Sequence, residues 1–243
     1  MNGKYLEYLS WQEAEKALTV DTLVLIPLGA QLKEHGPHLP LNTDWIMALS
    51  LTDEIVKKLP VLAAPGINHC YYPAMVEYPG TVSLEESTAS SLIANVISSL
   101  SRFGPKYFYI LNTGISTIRI LETIKKDFEK LSVSISYTDL RRALEPARSQ
   151  LEEQEGGTHA DEIETSIMLA LAPHIVNMEL AQEDFHGNDK GPLRRDRQKP
   201  GVYSPTGTWG NPTLASREKG EKLVRCLLDS IEKDIKEIIS KMS

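Results

Sequence analysis

Cysteine is nearly absent: Cys70 and Cys226 are the only two among 243 residues, and neither their number nor their spacing makes a disulfide framework or a paired-cysteine zinc site. Long apolar runs are missing too. Nothing approaches the roughly 18 residues of a membrane-spanning helix, so no membrane partner is expected. Met1–Ser10 carries no signal-peptide apolar stretch, which makes the cytoplasm the expected compartment. Positive charge is not in surplus either, since 26 Lys and Arg face 33 Asp and Glu for a net charge of −7. The basic cluster Leu193–Arg197 is short and interrupted by Asp196, so no nucleic-acid partner is expected. There is no internal repeat and no low-complexity tract. What remains is ordinary globular material, 41% hydrophobic and 24% charged, sufficient for one domain over residues 1–243.

Strand-length and helix-length patterns alternate along the chain. Apolar runs at Leu23–Leu28, Val61–Ala64 and Tyr107–Leu111 read as buried strands, and Val133–Tyr137 alternates as a strand with one less buried face. Between them lie helical patterns: Trp11–Leu18 behind a Ser10 cap, Thr43–Leu59 with Thr43 as cap, and a helix through Leu92, Val96, Leu100 and Phe103 opened by a Ser83/Glu86 capping box. Ile118–Phe128 follows, then Asp161–Leu171, apolar most of the way round and therefore buried. The last helix, from about Leu214 to Met242, carries a stripe of Leu223, Val224, Leu227, Ile231, Ile235, Ile238 and Met242 that fits core or subunit packing. Residues 176–213 show little periodicity and recurrent glycine, as a functional loop or oligomer contact would. This alternation predicts a mostly parallel sheet covered by helices on both faces, a three-layer α/β/α sandwich.

Two stretches carry chemistry. The first runs directly out of the Leu23–Leu28 strand and places Glu34, His35, His38 and Asp44 within eleven positions of a loop stiffened by Pro37 and Pro40. Mixed imidazole and carboxylate donors suit Zn, Fe or Mn, and the end of a buried strand is where open α/β sheets place ligands. The second is Gly156–Ser166, in which a glycine pair delivers His159 to a helix mouth bearing Asp161, Glu162 and Glu164. Asp161 and Glu162 fit a first helical turn, where carboxylates complement the macrodipole. Glu164 lies between Ile163 and Ile167 on a buried helix, where an unpaired carboxylate is costly. Two residues apart, Glu162 and Glu164 sit about 200° apart around a helix. Glu164 is accordingly assigned inward as a metal ligand or its acceptor, and Glu162 outward, kept beside His159 as a second catalytic candidate.

Taken together these residues resemble the creatininase (creatinine amidohydrolase) family. The resemblance rests on Pro27-Leu28-Gly29-Ala30, Glu34-His35-Gly36-Pro37-His38-Leu39-Pro40 and Thr43-Asp44. It extends from Pro65-Gly66 to Pro79-Gly80-Thr81, to His159-Ala160 with Glu164-Thr165-Ser166, and to Gly210-Asn211-Pro212 with Ala215 and Glu218-Lys219-Gly220. It implies a creatininase-like sandwich, often a hexamer, with a metal centre at the C-terminal ends of the strands. Family members hydrolyse non-peptide amide or formamide C–N bonds, and one branch trims a peptide. By the same resemblance Glu34 and His35 are metal ligands, Asp44 a carboxylate bridging two metals, and His159 the catalytic histidine that moves a proton to the leaving nitrogen. His38, Thr81 and Trp209 are the substrate-binding candidates, Trp209 in a loop that covers the substrate.

Two departures stand out. The family spaces its first ligands as Glu-x-His, whereas Glu34 and His35 are adjacent, and the family's Asn-Gly-His motif is replaced by Asn112-Thr113-Gly114-Ile115-Ser116, without a histidine. One divalent metal (Zn, Mn or Fe), or a second completed by Glu164 or His159, is therefore expected per subunit. The resulting expectation is a metal-dependent amidohydrolase acting through a metal-activated water on a small, cyclic amide. The alternatives are a mononuclear deformylase or peptide-trimming member, and a homo-oligomer that binds metal or ligand without catalysis.

Overall fold

The computed structural model describes residues 2–187 and 189–242. Five parallel strands form the central sheet: β1 (Lys4–Tyr5), β2 (Leu23–Leu28), β3 (Leu62–Ala63), β4 (Tyr107–Asn112) and β5 (Ser134–Tyr137), in the order β1-β3-β2-β4-β5. All six residues of β2 are buried, as befits the central strand of a sheet covered on both faces. Successive side chains point to opposite faces. Leu23, Leu25, Tyr109 and Leu111 therefore meet one helical layer, and Val24, Ile26, Leu28, Phe108 and Ile110 meet the other.

The first layer consists of α2 (Thr43–Lys58), α5 (Leu140–Leu151), α6 (Glu162–Leu171) and α7 (Arg217–Lys241); the second contains α3 (Glu86–Ser101) and α4 (Ile118–Glu129), with α1 (Trp11–Ala17) at its margin. The arrangement is the three-layer α/β/α sandwich that the alternation of patterns predicts. A two-residue pair, β6 (Leu193–Arg194) with β7 (Val202–Tyr203), gives the long loop some order of its own. The α7 stripe is core: Leu223, Leu227, Ile231 and Ile235 are buried among α5, α6 and the sheet. Among the described residues no helix is long and apolar enough to cross a membrane.

Several local expectations need correction. Ser83 does not cap α3, because its Oγ accepts from Tyr72 N and Glu85 takes the cap position. The buried face of α3 is Ala89, Ile93 and Ile97, about one residue round from the expected stripe, and Phe103 is 62% exposed. Thr43 is the first residue of α2 and not its cap; its hydroxyl donates to Pro40 O at 2.7 Å and closes the preceding loop. Helix α5 went unread in the sequence. Asp139 caps it by accepting from Arg141 N at 3.0 Å, and Leu140, Ala143, Leu144, Ala147 and Leu151 form its inner face despite Pro146.

Register decides where chemistry can sit. Leu28 of β2 pairs with Asn112 of β4, so the two strands end side by side and release their loops at the same edge of the sheet. Gly29 begins the β2–α2 loop with no room for a side chain: a Cβ there would meet Asp44 O at 2.5 Å and Thr113 Oγ1 at 2.8 Å. That close approach brings the first turn of α2, with Asp44, against the ends of both strands.

Candidate metal centre

The loop over residues 29–42 is held in one shape by its own polar groups. Lys33 N donates to Leu41 O at 3.0 Å, Trp45 N to Ala30 O at 3.1 Å, and Glu34 N to Thr81 Oγ1 at 3.0 Å. His35 and Asp44 are thereby fixed on one side and Lys33 beside them, all three buried or nearly so. The second half of the centre arrives with α6. Asp161 caps that helix, accepting from Ile163 N and Glu164 N at 3.0 and 2.9 Å. Ala160 takes a left-handed φ of +48°, held by Glu164 Oε2 accepting its N–H at 2.7 Å. A non-glycine residue held so is strained backbone over-determined by its surroundings. The consequence is that His159 and Glu164 point the same way. A bridge between His159 and Trp209 (Trp209 N to His159 O, 2.9 Å) fastens the long loop beside them.

Three donors converge. His35 Nε2 lies 3.6 Å from Glu164 Oε1, His159 Nδ1 lies 3.7 Å from Glu164 Oε2, and one donor atom from each residue lies within 4.8 Å of the others. Hydrogen bonding at the far edge of each ring fixes its tautomer. His35 Nδ1 donates to Lys33 O at 2.8 Å, and His159 Nε2 to Glu34 O at 2.8 Å. A carbonyl oxygen only accepts, so each of those nitrogens carries a proton. In the neutral form that binds a metal, the rings present lone pairs, His35 Nε2 and His159 Nδ1, toward carboxylate oxygens. Lone pair facing carboxylate is repulsive unless a proton or a cation lies between them. An imidazole whose opposite N–H is tied to a carbonyl or carboxylate is the usual arrangement of a metal-bound histidine, and two nitrogens with one carboxylate form a recurrent zinc ligand set. The residues fit a divalent ion.

The remaining named residues are placed as follows. Asp44 Oδ1 is 3.0 Å from His35 Nε2, and its other oxygen is 2.6 Å from Lys33 Nζ. Burial alone would push the Asp44 carboxyl up, but Lys33 and His35 outweigh it and hold the group well below the usual carboxylate range. Lys33, whose charge burial opposes, is raised by Asp44 and then Glu164. Glu34 does not join the three donors. Its carboxylate accepts from Gly36 N and stands 3.1 Å from His159 Nε2, on the edge of the ring away from Glu164. Burial disfavours the charged form of His159, yet the hydrogen bond and charge of Glu34 prevail and raise it. Gly207 lies against that carboxylate, where a Cβ would collide with it.

Glu162 is away from the centre. It is fully buried, but its carboxylate accepts from Glu153 N and Gln154 N at 2.9 and 2.8 Å and pairs with Lys219. The helical offset turns it toward α7 and not toward solvent, and both oxygens are occupied there. His38 packs behind the centre with Nε2 2.8 Å from Thr165 Oγ1, and burial pushes it down to about 4. Thr81 serves the backbone of Glu34. Trp209 does face the cleft, a hollow of about 230 Å³ that Lys33, Tyr72, Thr113, His159 and Glu164 also line. A larger hollow of about 660 Å³ between α5 and α7 is a shallow charged groove outside this centre.

The loop after β4 supplies no donor. Asn112 closes it internally, its side chain bonding Gly114 O, Gly114 N and Thr117 Oγ1 at 2.6, 3.2 and 2.6 Å. Thr113 Oγ1 donates to Asp44 O at 2.9 Å and ties β4 to α2. Lys33 is the buried charged residue of the cleft that the sequence did not single out; its signal is a lone ammonium next to the Glu34-His35 pair in a loop leaving a buried strand.

Comparison with known proteins agrees with this fold. The model of the Creatininase family, described as creatinine amidohydrolase, matches residues 7–235. A creatinine amidohydrolase from Pseudomonas putida is 27% identical over 94% of this chain and 95% of its own length. A 3-dehydro-scyllo-inosose hydrolase from Thermotoga maritima is 26% identical over 98% of this chain and 85% of its own. Among solved structures, a manganese creatininase superposes with a TM-score of 0.81 at 22% identity, covering 98% of this chain and 99% of that one, which shows the shared fold. The chain belongs to the creatininase family, and the relatives it resembles are hydrolases.

Proposed function

We propose that this member of the creatininase family is a metal-dependent amidohydrolase whose centre holds its ion through His35 Nε2, His159 Nδ1 and Glu164. The observation that carries this reading is the pair of imidazole lone pairs aimed at one carboxylate, with the opposite N–H of each ring already donated to a carbonyl. The Pseudomonas putida relative and the manganese creatininase support it. Zn²⁺, Mn²⁺ or Fe²⁺ in such a site lowers the pKa of water toward neutrality and polarises an amide carbonyl.

The protein does the rest. His159 has both nitrogens committed, one to the centre and one to Glu34, so it positions and does not shuttle. Glu164 lines the cleft, and its Oε2 is held by Ala160 N while Oε1 faces His35, so the carboxylate would hold the ion at the wall that a substrate meets. Trp209, Tyr72 and Leu193 wall the cleft and limit solvent. A hollow of about 230 Å³ suits a small amide, cyclic or formyl, better than a long peptide.

The test is hydrolysis of a panel of cyclic amides, formamides and short peptides by metal-loaded protein, with His35→Ala and Glu164→Gln alongside. Turnover of a small amide should fall at least about 100-fold in either variant. Turnover indifferent to both substitutions would overturn the reading. The self-closed β4 loop favours a second reading, ion binding without catalysis, which predicts metal uptake with no turnover of any panel member.

A further inference from the structure

Among the described residues Lys33 is the one ammonium inside this centre. Its side chain is 12% exposed, and its Nζ sits 2.6 Å from Asp44 Oδ2, a carboxylate that is itself fully buried. Burying an ammonium is expensive unless it is paired, and a lysine at the surface would reach solvent instead. Asp44 thus has Lys33 paired to one oxygen, while the other lies 3.0 Å from His35 Nε2, the nitrogen turned to the centre. We infer that Lys33 is a built-in second cation: its ammonium takes the position beside Asp44 that a second metal ion would need, so that the centre holds one ion.

Charge balance leads to the same place. Glu34, Asp44 and Glu164 bring three negative charges, each carboxylate at least four-fifths buried, and Lys33 returns one. With neutral imidazoles, the two charges left over match one divalent cation. A second divalent ion would leave the buried centre with an excess positive charge, which low-dielectric surroundings penalise. The β4 loop, tied to Asp44 O by Thr113, contributes no imidazole or carboxylate that a second ion could use. Thr113 and Tyr72, two further residues of the cleft, offer a hydroxyl engaged with Asp44 O and a ring 5.9 Å from the ammonium.

The inference rests on the metal-centre reading, and one experiment separates their failures. Full-length protein and Lys33→Glu are dialysed to equilibrium against excess Mn²⁺, and metal per chain is measured by inductively coupled plasma mass spectrometry. Wild type should saturate at about one equivalent and Lys33→Glu at about two, because an added carboxylate beside Asp44 demands a further cation. Thermal midpoints give a readout independent of catalysis. Added Mn²⁺ should raise that of Lys33→Glu more than that of wild type, and the uncharged Lys33→Gln should show the same order if the glutamate variant does not fold. About two equivalents in wild type, or Lys33→Glu remaining at about one, would overturn the inference while leaving the metal centre standing. No specific metal in wild type would overturn the metal-centre reading itself.

Discussion

Each histidine of the centre is committed at one edge before any ion arrives: His35 to Lys33 O and His159 to Glu34 O, both at 2.8 Å. That pre-commitment aims the opposite nitrogens and lowers the cost of ordering ligands on binding. It also separates the roles of residues that the sequence set side by side. His35, His159 and Glu164 could be named from sequence because imidazole and carboxylate at a strand end and a helix mouth have few other uses. The division of labour between Glu34 and Lys33 could not. In an irregular loop there is no period to say which of two adjacent side chains faces inward, and both do: Lys33 toward Asp44, Glu34 toward the back of His159. In the proposed centre Glu34 is an orienting acceptor, 3.1 Å from His159 Nε2. Glu34→Ala should therefore keep about one metal per chain while weakening its affinity about 10–100-fold in a competitive chelator titration. Complete loss of metal would restore Glu34 as a ligand.

At the scale of elements, α6 performs two tasks with neighbouring carboxylates. Glu164 reaches back over the first turn to Ala160 N, and Glu162 anchors the helix to α7 through Lys219 and to the segment before it through two backbone amides. The α6–α7 contact is close enough that a Cβ on Gly220 would strike Ser166 O. Glu162→Gln should thus lower the thermal midpoint by several degrees, a loss of about 1–3 kcal/mol, while leaving metal affinity and turnover unchanged. Lost turnover at an unchanged midpoint would return Glu162 to the chemistry. The helical offset of Glu162 from Glu164 was legible in the sequence, but its destination was not, since Lys219 is 57 residues away. Helix α5 was hidden differently. Pro146 and flanking charges mask an inner face that runs Leu140, Ala143, Leu144, Ala147 and Leu151 at helical spacing. Ser83 and Glu86 imitate a capping box, and the chain uses Ser83 to hold Tyr72 N instead.

For the whole molecule, alternating apolar segments specify a sheet covered on both faces, and the central strand was readable to the residue because Leu23–Leu28 is buried throughout. The run Val61–Ala64 marks β3, whereas the short strand β1 was not legible. That strand has two residues, and its pairing depends on its neighbour β3 and not on any run of its own. The sandwich lets residues more than a hundred positions apart share one small volume: β2 delivers His35 and Asp44, and α6 delivers His159 and Glu164. The account stands or falls on whether that volume holds an ion. The most direct measurement is anomalous X-ray scattering at the metal's absorption edge from crystals of protein purified with Mn²⁺ or Zn²⁺. The account predicts one peak per chain within bonding distance, about 2.0–2.3 Å, of His35 Nε2, His159 Nδ1 and a Glu164 oxygen, with Lys33 still paired to Asp44. No peak there, or a peak ligated by Glu34 in place of Glu164, would contradict it.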